Sequence, residues 1–268
     1  MRCRLVLPAC RSYLSEALPR LTLADFIIQG IRLMADLSAF PITKRWPAAN
    51  SDVLQLYSLP TPNGIKVSAM LEETGLPYEP HLVDFGKNDQ MTPEFLSLNP
   101  NNKIPAIIDP DGPGGKPIGL FESGLILQYL AEKTGKFLPA DPAARYETLQ
   151  WLYFQMGGLG PMFGQLGFFT KFAGKDIEDP RPRQRYIDEA KRLLGVLNGR
   201  LEGRTFIMGD DYTIADMAIW PWLRTLTGFY EAGELVGIGN FPNVTAYLER
   251  CQARPASQKA VNIPARPA

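Results

Sequence analysis

The strand-like segments of this chain are confined to its first half. Four segments read as strands from alternating apolar residues or short apolar runs: 53–58, 78–85, 106–109 and 118–121. After Asp141-Pro142 only helix-period patterns remain. Such a chain is expected to fold as α/β plus all-α, with a sheet-containing unit followed by a helical bundle, and its 268 residues suffice for two cores.

The sheet-containing unit is predicted in the order βαβ, then ββα. The turn-forming cluster 59–64 opens a helix with apolar residues at helical spacing, and Gly75 is expected just past its end. The Pro- and Gly-rich loop 110–117 favours a hairpin between the last two strands. Glu122 and Ser123 then open another helix.

The second half predicts a helix bundle. A long helix from about Ala143 should break or bend at Gly157–Pro161, and another helix spans about 184–201. Thr213 and Asp216 have the spacing of an N-terminal capping box before a buried helix.

The residues before the first strand are expected to be an extension. Residues 1–33 are rich in arginine, and their apolar run, Phe26–Ile31, is interrupted and too short to span a bilayer. Met34 is therefore the expected natural start, and no function is assigned to residues 1–50.

Charge and cysteine content narrow the class of partner. Lys plus Arg and Asp plus Glu both number 28, so no broad basic field is expected to hold nucleic acid or an anionic membrane. Cys3, Cys10 and Cys251 form no CxxC pair, and His81 is the single histidine, so no metal site can be read. A small-molecule partner and a reducing compartment fit this composition.

The turn Thr61–Gly64 is the first candidate site. Free amides and the helix dipole favour an anion at a helix start, and they would also favour a thiolate. The turn contains no cysteine, so a sulfur would have to arrive with a ligand and accept hydrogen bonds from the Thr61 hydroxyl and the Asn63 amide. Alternatively, Asn63 merely caps the helix.

Two further polar segments are candidates for binding a peptide-like ligand. A cis bond before Pro105 would turn the backbone of the 101–105 loop outward as a pairing edge, although proline at a strand start is also structurally ordinary. Glu122 and Ser123 suit an amino group and a carboxylate respectively, or they simply cap a helix.

Together these segments resemble the glutathione transferase family. The resemblance covers about residues 53–255 and rests on four segments in order: Thr61–Gly64, Asn101–Ala106, Phe121–Gly124 and Thr213–Asp216. The combination of TPNG, NNKIPA, LQW and GGLGPM is similar to the bacterial Nu-class branch and to relatives of the fungal nitrogen-regulator transferases.

The resemblance implies the glutathione transferase fold. A thioredoxin-like glutathione-binding domain would cover residues 51–138, and an all-helical domain would cover residues 143–268. A cytoplasmic homodimer is expected, with glutathione as cosubstrate and no metal.

The resemblance also implies roles for individual residues. Thr61 and Asn63 would be the catalytic residues that interact with the glutathione sulfur. Ile104, followed by a cis Pro105, would pair its backbone with the cysteinyl part of glutathione, and Glu122 and Ser123 would hold the γ-glutamyl end. Three further residues match positions that contact the ligand: Gln90, Lys103 and Arg185.

In the Nu-class branch the implied reaction is reduction of disulfides, with two glutathione molecules per site or oxidised glutathione bound. This chemistry needs no protein cysteine. Conjugation of an electrophile is the alternative, in a site for which four aromatic residues are candidates: Phe163, Phe168, Phe169 and Phe172. Peroxide reduction and a non-catalytic regulatory role complete the alternatives.

Overall fold

The sheet of the first half has four strands. The computed structural model describes residues 35–266, so the expectations for residues 1–33 and Met34 lie outside the described part. The strands run in the spatial order β2-β1-β3-β4, and they are β1 Leu54–Ser58, β2 Tyr78–Leu82, β3 Ala106–Asp109 and β4 Ile118–Phe121. β1 pairs parallel with β2 and antiparallel with β3, and β3 pairs antiparallel with β4, as expected for the predicted hairpin.

Three helices accompany this sheet: α1 Pro62–Thr74, α2 Pro93–Leu98 and α3 Ser123–Thr134. Gly75 ends α1 in the left-handed conformation, with φ +73°. The short helix α2 was not expected, because six residues are too few for a helical period to be recognised. Its signal was Thr92, whose side chain caps the helix by accepting from the Phe95 amide.

The second half is helical. Its helices are α4 Pro142–Phe154, α5 Gly160–Lys171, α6 Pro180–Arg200, α7 Ile214–Arg224, α8 Gly233–Val236, α9 Pro242–Ala253 and α10 Pro255–Ala260. A π-helical turn, Gln155–Leu159, separates α4 from α5 at the predicted glycine-rich break, and another, Thr225–Phe229, follows α7. Within residues 35–266, no helix combines the length and apolar character needed to cross a membrane.

The core includes residues of the strands and of α7. Tyr57 is completely buried in β1 and stacks on His81 with ring centroids 4.7 Å apart. His81 Nε2 lies 2.7 Å from Gln55 Oε1, so the imidazole of β2 is hydrogen-bonded to a side chain of β1. Ile214–Leu223 of α7 is buried throughout, as predicted for the segment after the capping box.

Two predicted boundaries were wrong by a few residues. β2 ends at Leu82 instead of Phe85, because the Asp84 side chain accepts from the Gly86 amide at 2.9 Å and starts a tight turn. Helix α6 begins at Pro180 instead of 184, because Asp179 caps it by accepting from the Arg181 amide at 3.0 Å.

Candidate functional site

A continuous cleft lies between the sheet-containing part and the helical part. It consists of three adjoining cavities of about 560, 410 and 220 Å³, and Asn63 and Lys103 line all three. The largest cavity has aromatic walls and the smallest is mostly polar. The starts of α1 and α3 both face this cleft, so two sets of free helix amides converge on it.

The start of α1 is a tight turn capped by Thr61. Its Oγ1 accepts from the Gly64 amide at 3.4 Å, which leaves the hydroxyl proton free to donate into the cleft. A Cβ on Gly64 would lie 2.0 Å from the carbonyl oxygen of Leu59, so this position requires glycine. The turn therefore holds the Thr61 hydroxyl at a fixed place on the cleft wall.

Asn63 does not cap the helix, so the capping interpretation of this residue is wrong. Its Oδ1 accepts from Trp222 Nε1 of α7 at 3.0 Å. Because the amide oxygen is used in this way, the two N–H groups of the amide remain available as donors. Trp222 thus orients the Asn63 donors from the other side of the cleft.

The start of α3 is left open. Glu122 has φ +74° and ψ +107°, a conformation that is unusual for a residue with a side chain, and its carboxylate makes no capping bond. The capping interpretation of Glu122 is therefore also wrong. The first intrahelical bond runs from the Ile126 amide to the Glu122 carbonyl at 2.9 Å, so the three amides before Ile126 have no intrahelical acceptor.

A buried lysine lies beneath this helix start. Lys66 of α1 is fully buried and its Nζ lies 2.5 Å from Gln155 Oε1 and 3.3 Å from Ser123 Oγ. Burial lowers the pKa of this amine to about 7, and the negative charge of Glu122 opposes that shift. Lys66 was not predicted as a site residue, although a lysine four residues before Met70 on the apolar face of α1 was a signal.

The loop before β3 forms the floor of the polar cavity. The Ile104–Pro105 peptide bond is cis, as the resemblance implies, and both residues line this cavity. Asn99 Nδ2 donates to the Lys103 carbonyl at 2.5 Å and holds the loop in place. The exposed Lys103 side chain adds a cation at the junction of the three cavities.

Two of the expected ligand-contacting residues do not line the cleft. Gln90 lies in the turn Asp89–Met91, and its Oε1 is buried without a hydrogen-bond partner among residues 35–266. Arg185 lies on α6 beside a separate cavity of about 720 Å³ that shares no lining residue with the cleft. The structure therefore brings together seven of the nine candidate residues: Thr61, Asn63, Lys103, Ile104, Pro105, Glu122 and Ser123.

The aromatic wall differs from the expected one. Of the four phenylalanines proposed for an electrophile site, Phe172 lines the cleft, whereas Phe163 is completely buried in the core. Phe168 and Phe169 pack edge-to-face and do not line the cleft, and Phe169 stacks on Tyr186. Further lining residues that were not predicted include Phe85, Trp222, Arg224, Phe229, Tyr230 and Arg266. The apolar run in α7 concealed Trp222, because it predicted burial alone.

The cleft wall contains no cysteine among the described residues. Cys251 is buried in α9, where burial raises the pKa of its thiol well above the ordinary value, and Cys3 and Cys10 lie outside the described part. Across residues 35–266, no group of three His, Cys, Asp or Glu side chains is arranged to hold a metal ion. The described part of the cleft therefore offers no cysteine thiol of its own.

Two family models match the chain. Glutathione S-transferase, N-terminal domain, matches residues 52–132, and Glutathione S-transferase, C-terminal domain, matches residues 180–250. Disulfide-bond oxidoreductase YfcG of Escherichia coli (strain K12) is 47% identical over 210 residues, which cover 78% of this chain and 94% of that protein.

Solved structures are similar to the chain over most of its length. A glutathione transferase from Burkholderia graminis, with two glutathione molecules bound per subunit, is 69% identical with a TM-score of 0.87, over 88% of this chain and 99% of that one. A glutathione transferase from Pseudomonas putida, with one glutathione disulfide bound per subunit, is 62% identical with a TM-score of 0.84, over 85% and 99%.

Proposed function

Because the chain belongs to the glutathione S-transferase family, we propose that it reduces disulfide bonds with glutathione, using the thiolate of the bound tripeptide as its nucleophile. The observation that carries the proposal is the pair of donors at the start of α1. The Thr61 hydroxyl and the Asn63 amide face a cleft whose described wall contains no cysteine. Such a site suits a sulfur that arrives with its ligand.

The reaction needs two glutathione molecules. A first thiolate attacks one sulfur of the substrate disulfide, which forms a mixed disulfide and releases a thiolate that takes a proton from solvent. The thiolate of a second glutathione attacks the mixed disulfide, so oxidised glutathione forms and the second substrate thiolate leaves. The relatives from Burkholderia graminis, with two glutathione molecules, and Pseudomonas putida, with glutathione disulfide, support this stoichiometry.

The α1 start lowers the cost of forming the thiolate. Two hydrogen-bond donors, the Thr61 O–H and the Asn63 N–H, would stabilise negative charge on sulfur, and the positive end of the α1 dipole adds to their effect. Trp222 keeps the Asn63 donors directed at the sulfur before the ligand arrives. We expect the thiol pKa of bound glutathione to lie below its value in solution.

The remaining contacts would place the tripeptide along the cleft. We assign the backbone of Ile104, beside the cis bond to Pro105, to the cysteinyl part of glutathione. Glu122 would bind the glutamyl amino group, and Ser123 the adjacent carboxylate. Lys103 stands where it would meet the other carboxylate end.

Gln90 and Arg185 do not line the cleft, so this proposal gives them other roles. Among residues 35–266 the buried Oε1 of Gln90 has no hydrogen-bond partner, so Gln90 would offer this acceptor to a group of the ligand. Arg185 would serve a ligand across a homodimer interface, because its cavity is separate from the cleft of its own chain. Light scattering measures the dimer, and Arg185→Ala should weaken glutathione binding only if that dimer forms.

We place the enzyme in the cytoplasm, where glutathione is abundant and reduced.

Conjugation of electrophiles is the second candidate. The observation in its favour is the aromatic wall, where Phe172 and Phe229 are 46% and 56% exposed and able to hold a planar apolar group. In this reaction the same thiolate would attack carbon instead of sulfur.

The deciding experiment compares the two reactions at one enzyme concentration. Initial rates are measured for reduction of bis(2-hydroxyethyl) disulfide and for conjugation of 1-chloro-2,4-dinitrobenzene, with glutathione in excess. Fast reduction with negligible conjugation is the expected result. The reverse would assign the protein to conjugation, and inactivity in both assays with glutathione bound would indicate a regulatory protein.

A further inference from the structure

Lys66 is a fully buried lysine to which the reaction proposed above gives no part. Its Nζ has three neighbouring acceptors: Gln155 Oε1 at 2.5 Å, Ser123 Oγ at 3.3 Å and Met156 Sδ at 3.2 Å. An ammonium group has three N–H donors, so the charged form of Lys66 can be satisfied even without water. The site is therefore built to hold a cation.

The charges around this amine are nearly balanced. Among the residues lining the adjoining cavity of about 410 Å³, the other charged groups are Glu122 and the exposed Lys103. The neighbours from the remaining elements are neutral: Asn63 on α1, Ser123 on α3, Gln155 and Met156 in the π turn, Gln165 on α5 and Trp222 on α7. Desolvation outweighs the attraction of Glu122 and brings the pKa of Lys66 to about 7. Near neutral pH, both forms of the amine are therefore populated.

Ser123 connects Lys66 to the cleft. Its Oγ accepts from the buried Lys66 on one side, while within residues 35–266 the acceptor for its own proton is the Met156 sulfur, 3.7 Å away and weak. A ligand carboxylate at the open start of α3 would be a much stronger acceptor for this proton. It would also bring a negative charge close to Lys66.

We propose that Lys66 is a positioning residue that acts through Ser123, supplies the positive charge for the glutamyl carboxylate of glutathione, and takes up a proton when this carboxylate binds. The inference rests on the proposed function, because it takes glutathione as the ligand of this helix start. An approaching anion favours the charged form of the lysine. Binding and proton uptake are then linked.

Titration calorimetry with S-methylglutathione tests the linkage, since this ligand has no thiol proton to release. At pH 7.5, in buffers of different ionisation enthalpy, the wild-type protein should take up about 0.5 to 0.8 proton per ligand bound. Lys66→Met should abolish this uptake and raise Kd at pH 7 about tenfold. The wild-type Kd should be constant below pH 7 and rise above it, whereas the Kd of the variant should stay constant across that range.

An analogue separates the carboxylate from every other ligand group. S-methyl-γ-aminobutyrylcysteinylglycine lacks the glutamyl carboxylate alone, and the wild-type protein should bind it without proton uptake. This comparison needs no variant, so it decides the question even if Lys66→Met fails to fold. Lys116→Met is the control, because this exposed lysine of the 110–117 loop lines none of the three cavities, so Kd and proton uptake should both stay unchanged.

Three outcomes would count against the inference or its basis. Equal proton uptake by the wild-type protein and Lys66→Met would overturn the role of Lys66. Equal uptake with both ligands would show that the carboxylate is not the linked group, which also overturns it. No binding of S-methylglutathione or glutathione by the folded wild-type protein would instead reject the proposed function.

Discussion

The starts of α7 and α3 each carry an acid and a hydroxyl, yet only the start of α7 is closed. At α7, the Asp216 carboxylate accepts from the Thr213 amide at 2.8 Å and from the Ile207 amide at 2.9 Å, and both Thr213 and Asp216 are buried. At α3, Glu122 is exposed without a capping bond, and the buried Ser123 contacts Lys66.

The position of the acid explains the difference. Asp216 lies three residues after its N-cap, so its side chain reaches back to the free amide of Thr213 and also to the amide of Ile207 before the helix. Glu122 is itself the N-cap, but its φ of +74° departs from the extended backbone of a capping residue such as Asp179, and its side chain makes no bond to the amides that follow. The closed start therefore contributes stability, while the open start keeps its amides and hydroxyl for a ligand.

The closed start predicts the largest effect, a loss of stability. Asp216→Ala leaves two buried backbone amides without an acceptor, so the free energy of unfolding should fall by about 3 kcal/mol. Urea denaturation followed by circular dichroism measures it. Asp210→Ala is the control, since the exposed Asp210 accepts only from the Thr205 hydroxyl, and its effect should stay within about 0.5 kcal/mol. Equal losses in both variants would contradict the comparison.

The start of α1 lies between the closed start of α7 and the open start of α3, because Thr61 caps it while the Asn63 amide faces the cleft. Asn63→Ala removes a donor to the sulfur and should lower kcat for disulfide reduction about 100-fold. Trp222→Phe keeps the ring but frees the Asn63 amide, so a loss of about tenfold is expected. Steady-state kinetics at saturating glutathione measures both.

The matched control for Trp222→Phe is another buried tryptophan. Trp220 Nε1 donates to the Tyr212 hydroxyl at 3.0 Å in the core, away from the cleft. Trp220→Phe should therefore reduce stability without lowering kcat in the protein that remains folded. A similar loss of kcat in both variants would show that the Trp222–Asn63 hydrogen bond has no specific role in catalysis.

Local sequence signals predicted most of the fold. Gly75 marked the end of α1, the 110–117 loop marked the hairpin, and the Thr213–Asp216 spacing marked the closed start of α7. Each of these features is determined by a few neighbouring residues, which is why one sequence suffices. Helix α2 was missed because its six residues show no period.

Apart from Phe172, the candidate site was predicted on the sheet-containing side of the cleft. Thr61, Asn63 and Glu122 stand in short motifs at helix starts, where sequence position and function coincide. Trp222 is 159 residues from Asn63, so their hydrogen bond depends on how the two halves of the chain pack. Lys66 likewise contacts Gln155, which is 89 residues away in the sequence, and no local sequence pattern predicts such a contact.

The open start of α3 predicts a moderate effect on binding alone. Ser123→Ala removes a donor to the ligand carboxylate and should raise the Kd of glutathione about tenfold, with kcat changed less than about twofold. Calorimetry and kinetics together measure the two effects. Ser97→Ala is the control, since the Ser97 hydroxyl is exposed and donates within its own helix to the Glu94 carbonyl. A loss of kcat without a change in Kd would contradict the assignment of Ser123.

The smallest effect is expected at the aromatic end of the cleft, where Arg224 and Arg266 add positive charge to that of Lys103. Arg266 is exposed, so its attraction for an anionic substrate is weakened by solvent and salt. Arg266→Ala should lower kcat/KM for 3,3′-dithiodipropionate about two- to threefold at low salt and leave bis(2-hydroxyethyl) disulfide unchanged. Both rates are compared again at high salt, where the difference should disappear. An equal loss for the neutral disulfide would mean that Arg266 acts through packing, and the aromatic end would then select substrates by shape without regard to charge.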